Sequence, residues 1–154
     1  MAVGSGGQAL LDPAASNVPG ARGGLFTLQA GWLWERENSI VALGLSLPIE
    51  SDFGSRVAVG PKFILELSGS FRVYVAAMAD IGPPYSFFFV RGGLSAGWRN
   101  TGIRPDPLDL PVKAGVYLWV ALDARIPNPN QIVPQILRLT FGLRIEFGLL
   151  AAID

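Results

Sequence analysis

The chain has 154 residues, no cysteine and no histidine, 12 basic against 12 acidic side chains, and 16% charged against 50% hydrophobic residues. That length fits one domain. The two missing residue types exclude disulfides, thiolate nucleophiles, cysteine-ligated metals and histidine bases, and a net charge of zero removes any global pull toward nucleic acid.

Soluble domains carry about 25% charged residues, so this chain is unusually apolar. The apolar surplus is not concentrated in one block. No run approaches the ~18–20 uninterrupted apolar residues of a membrane helix. It is spread as alternation, and a period of two means extended strands with two different faces.

Residues 1–23 are rich in Gly, Ala, Ser and Pro and hold no sustained period. They read as a flexible leader, with an extra strand inside them as the alternative. MAVGSGGQALL lacks the basic region and long apolar core of a secretory signal. The chain is therefore expected to be a mature form, a fragment or an engineered sequence.

The barrel domain is expected over 24–154, with seven clear strands. The first, 24–36, alternates Phe26, Leu28, Ala30, Trp32 and Trp34 with Thr27, Gln29, Gly31 and Glu35. A tight turn at 37–39 leads to the second, 40–49, with Val41, Leu43, Leu45, Leu47 and Ile49 on one side. ESDFGS, 50–55, reads as a polar loop. The third, RVAVGPKFILEL over 56–67, sets Val57, Val59, Phe63, Leu65 and Leu67 against Arg56, Ala58, Lys62 and Glu66. Pro61 breaks its ladder, because proline has no N–H to donate, and a bulge is expected there.

A turn at 68–70 leads to the fourth strand, 71–81, where Phe71, Val73 and Val75 oppose Arg72, Tyr74, Met78 and Asp80. After the break at 82–86 the fifth, 87–99, sets Phe88, Val90, Leu94 and Trp98 against Phe89, Arg91, Ser95 and Arg99. Residues 100–109 read as a loop. The sixth, 110–126, sets Val116, Leu118, Val120 and Leu122 against Lys113, Tyr117, Trp119, Asp123 and Arg125. Beyond a loop at 127–134, the seventh sets Leu137, Leu139, Phe141, Leu143, Ile145 and Phe147 against Arg138, Thr140, Arg144 and Glu146. Strands joined by such short connections form an antiparallel meander.

The second face is poor in the Thr, Lys and Glu that cover soluble sheets. Its Gly, Ala and Ser, mixed with a few long charges, suit a cramped barrel interior. The first face is almost unbroken by polar residues. The expected fold is an all-β, antiparallel up-and-down transmembrane barrel of about eight strands, apolar face outward. This pattern resembles the small bacterial outer-membrane β-barrel proteins. The resemblance covers roughly 24–150 and is one of class, not of motif. Such barrels commonly end on an aromatic residue, whereas this chain continues past Phe147 as GLLAAID. They also have even strand numbers, so either an eighth strand lies within 1–23, or strands have been lost, or several copies share one barrel as a homo-oligomer.

The residues expected to line the lumen are Arg56, Lys62, Glu66, Arg72, Asp80, Arg91, Arg99, Lys113, Asp123, Arg125, Arg138, Arg144 and Glu146. Those expected to face lipid are Trp32, Trp34, Val59, Phe63, Phe88, Trp98, Leu118, Phe141 and Leu143. Charges inside a narrow barrel must pair, because an isolated buried ion costs several kcal/mol. Glu66 with Glu146, or Asp80 with Asp123, could act as a carboxylate pair, but the nearby arginines favour salt bridges instead. Ser46 and Ser95 lack a histidine to activate them.

The expected function is non-enzymatic: an outer-membrane scaffold or a narrow, mildly anion-preferring pore. Lipid or detergent is the expected partner, with no nucleic acid, metal or cofactor. The alternatives are a soluble β-barrel that binds an apolar ligand and a designed or self-assembling barrel element.

Overall fold

Side chains that alternate between bulky and small favour a pleated, extended backbone, because bulky and β-branched residues pack well on one side of a sheet. The computed structural model describes residues 1–11, 22–35, 40–53, 56–68, 70–83, 86–103, 112–127 and 137–149. Within them run β1 (Ala2–Leu10), β2 (Arg22–Glu35), β3 (Val41–Ser51), β4 (Val57–Val59), β5 (Lys62–Leu67), β6 (Phe71–Ile81), β7 (Phe87–Ile103), β8 (Val112–Arg125) and β9 (Leu137–Leu149).

All pairings are antiparallel, and β1 pairs with both β2 and β9, so the sheet closes on itself. β4 and β5 are halves of one stave, since each pairs with β3 on one side and β6 on the other. The result is a closed up-and-down barrel of eight staves. Closure leaves no exposed sheet edge. The seam is fastened at both ends. The Met1 amino group donates to the Phe147 carbonyl at 2.6 Å, and the Leu11 N–H donates to the Leu137 carbonyl at 3.0 Å.

The extra strand sought within 1–23 is β1. Its Gly-Ser-Gly-Gly run gives it little alternation of its own, and its neighbours on both sides hold it extended. The expected bulge at Pro61 is absent. Ile49 opposite Val59 and Ser46 opposite Lys62 keep one offset, and so do Val59 opposite Ala79 and Lys62 opposite Ala76. Pro61 forfeits only its own donor, while its carbonyl accepts from the Ala77 N–H at 3.1 Å. Gly60 is small for a local reason: a Cβ there would lie 1.9 Å from the Ala77 carbonyl oxygen.

Two strands run past their expected ends. β3 continues through Glu50 to Ser51, and β7 continues to Ile103 with an irregular register after Thr101. The expected connections at 37–39, at 104–109 and at 128–134 lie outside the described residues, as do residues 12–21 of the expected leader.

The alternation sorts side chains by face along every stave. Outward point Val3, Phe26, Leu43, Phe63, Val73, Leu94, Leu118 and Leu143, with companions two residues away on each strand. Inward lie two small apolar clusters, Leu25 with Ile64, Tyr74, Trp119 and Ala121, and Ala58 with Ala76, Met78, Phe87 and Phe89. Room for these rings comes partly from Gly93, where an added Cβ would meet the Tyr74 ring at 2.4 Å. Side chains can fill an eight-stranded barrel, and the rest of the described lumen is lined by charged and polar side chains.

Candidate functional site

The lumen carries two ionic clusters, one toward each end of the barrel. At the terminal end, where Met1 meets Phe147, the hub is Arg72 on β6. Its Nε donates to Glu66 on β5 at 2.5 Å, and its Nη1 lies 2.6 Å from both carboxylate oxygens of Glu146 on β9. Its Nη2 donates to the Tyr117 hydroxyl at 3.1 Å, and the guanidinium lies over the Tyr117 ring at 4.0 Å. Arg99 on β7 reaches Glu66 at 2.7 Å, and Arg144 on β9 reaches Glu146 at 2.8 Å. Glu66 is 1% exposed and Tyr117 is fully buried.

Toward the opposite end, Arg91 on β7 is the hub. Its Nε and Nη2 donate to the two oxygens of Asp123 on β8 at 2.6 and 2.9 Å, and its Nη1 donates to Glu50 on β3. Arg138 on β9 joins Asp123 at 2.9 Å and Asp80 at 3.7 Å. Arg56 closes the group. It binds Asp80 at 2.8 Å and donates to the carbonyls of Gly82 and Pro83, which ties the 82–83 corner to the lumen mouth. The Arg125 guanidinium lies 5.0 Å from the centre of the Phe87 ring.

Thus Arg56, Lys62, Glu66, Arg72, Asp80, Arg91, Arg99, Asp123, Arg125, Arg138, Arg144 and Glu146 all turn inward, most of them buried. The Lys113 side chain lies outside the described residues. Of the expected outer residues, Trp32, Trp34, Phe63, Phe88, Trp98, Leu118, Phe141 and Leu143 are exposed on the outside of the barrel, and Val59 is half-covered there. The two candidate carboxylate pairs are indeed brought together, each by an arginine. Arg72 joins Glu66 to Glu146, and Arg138 joins Asp80 to Asp123.

Sequence reasoning missed Glu50, assigned to a loop. The parity of Ala42, Gly44 and Ser46 carries through Pro48 to Glu50 and was the available signal. It also passed over Thr27 and Gln29 as lumen groups, although both stand at inward positions of β2.

Two small cavities are lined by described lumen residues. One cavity lies at mid-lumen among Thr27, Gln29, Glu50, Lys62, Tyr74 and Arg144, and a second lies near the mouth among Gln8, Asp52, Arg56 and Asp80. Each has room for about one water molecule. Among the described residues no three Asp, Glu, His or Cys side chains group as a metal site. No protein-family model matches the chain, and no curated protein or solved structure matches it either.

Proposed function

We propose that this protein is an integral membrane β-barrel of the outer-membrane kind, non-enzymatic, which acts as a membrane scaffold with a filled lumen. One observation carries the reading. Every charged strand side chain described turns inward, while all eight staves present large apolar side chains outward. Soluble monomers rarely expose contiguous apolar patches beyond a few hundred Å², and hydrocarbon is the medium that tolerates such a surface all round.

The aromatic residues support it. Trp32, Trp34, Phe71 and Trp98 stand outward toward the terminal end, and Phe26, Phe53 and Phe88 toward the other. Two such belts match the girdles at the two membrane interfaces. The connections 36–40, 68–70 and 104–111 share the end with the termini, while 11–21, 52–56, 82–86 and 126–136 leave from the other, and of the first group only 104–111 is long. In an outer membrane the shorter connections face the periplasm, which would orient the termini inward. The partner is lipid, and among the described residues no basic side chain of the staves turns outward.

Dilution of urea-unfolded protein into phosphatidylcholine vesicles is expected to yield a vesicle-bound form whose gel mobility changes on boiling. A folded, monodisperse monomer in plain buffer would overturn the proposal. In a planar bilayer the filled lumen should give no discrete current steps. Anion-selective steps would replace the scaffold by the narrow pore.

A further inference from the structure

The mid-lumen cavity gathers the buried Lys62 amine with unpartnered donors of Arg144 and Thr27, and we propose that it is a binding site for a monoatomic monovalent anion, chloride in kind. The proposal does not depend on the membrane reading.

Charge is the first argument. Among described lumen side chains, eight cations face five carboxylates, with Asp52 half-buried at the rim as a sixth. Arg56, Arg72, Arg91, Arg99, Arg138 and Arg144 pair as above, but Lys62 does not. Among the described residues no carboxylate oxygen lies within 4.0 Å of its Nζ. It donates to Gln29 Oε1 at 3.3 Å and sits 3.9 Å from the centre of the Tyr74 ring. Lys62 is 5% exposed, so water screens it poorly. A lone buried ion of this kind is costly, and a bound anion would offset that cost and hold the amine in its charged form.

Geometry is the second argument. Arg144 Nη2 and Thr27 Oγ1 have no hydrogen-bond partner, both residues are more than nine-tenths buried, and both line the same cavity as Lys62. Arg144 spends its Nη1 on Gln29 at 3.4 Å, which leaves Nη2 for a ligand. Glu50 Oε2 also lines the cavity without a partner. It is the one group there that repels an anion, and Arg91 holds its other oxygen.

A water molecule would satisfy the free donors and leave the charge. An anion answers both. The cavity is too small for phosphate or sulfate, and it would take a halide when the flexible Lys62 stem yields slightly.

The test is a bromide soak of crystals of the full-length protein, with data collected at the bromine absorption edge. The expected result is an anomalous peak among Lys62, Arg144 and Thr27 that disappears in Lys62→Met. A cavity holding only water overturns the proposal, and so does bromide that persists in Lys62→Met, an adventitious ion only. In solution, the urea midpoint should rise with chloride over gluconate at equal ionic strength. That rise should be absent from Lys62→Met and smaller in Thr27→Val. Equal chloride responses in wild type and both variants overturn the proposal.

Discussion

Replacing Arg91 with methionine should lower the unfolding free energy by about 3–5 kcal/mol, the usual cost of removing one partner from a buried ion pair. The reason lies in what is left behind. Asp123 keeps Arg138 at 2.9 Å. Glu50, 4% exposed, loses the arginine that holds it. That carboxylate then sits in a narrow interior, beside a cavity with room for about one water molecule and with no arginine among the described residues to replace the lost bond. Adding Glu50→Gln to the Arg91→Met variant removes that charge and should recover more than half of the loss. The pair of variants thus separates a charge effect from a packing effect, since glutamine keeps the shape of glutamate. Urea titration of the folded fraction reads both. A change within about 0.5 kcal/mol, typical of surface sites, would mean that the lumen network is wet and contributes little.

The second large effect belongs to the outer wall. Leu118 lies at the middle of β8, opposite Ala96 and Leu143, and is 67% exposed. Leu118→Arg should destabilise the vesicle-inserted barrel by about 2–4 kcal/mol, the cost of an arginine at the bilayer midplane of a barrel. The same change near the rim, at Phe26 or Phe71, should cost about 0–1 kcal/mol. A soluble barrel predicts no such trend. There an exposed leucine exchanged for arginine is nearly neutral wherever it stands, and solubility improves. The gradient with depth therefore distinguishes the two solvents, whereas a single variant would not.

The faces of this barrel are legible because a two-residue period needs no knowledge of the partner strand. Leu118 and Tyr117 declare opposite sides from their neighbours alone. β1 was hard to see because its outward row, Val3, Ser5, Gly7 and Ala9, holds a single large apolar residue. Its conformation comes from pairing with β2 and β9, a tertiary effect that overrides weak propensity. Glu50 was hidden by the polar run that follows it, which has the composition of a loop. The cross-lumen pairs lie further from the sequence. Arg72 and Glu146 are 74 residues apart, and their meeting depends on barrel closure and strand stagger. Alternation sets which charges turn inward, and register then sets which of them touch.

The chain contains no cysteine, so single cysteines at residues 116 to 120 can each carry a nitroxide label in an otherwise unmodified barrel. The decisive reading is the collision of each label with oxygen, which concentrates in acyl chains, and with a water-soluble nickel complex, in the vesicle-reconstituted protein. Labels at Val116, Leu118 and Val120 should meet oxygen and escape nickel, and labels at Tyr117 and Trp119 should meet little of either. Outer labels that meet nickel as freely as a surface loop does would contradict a wall built for lipid.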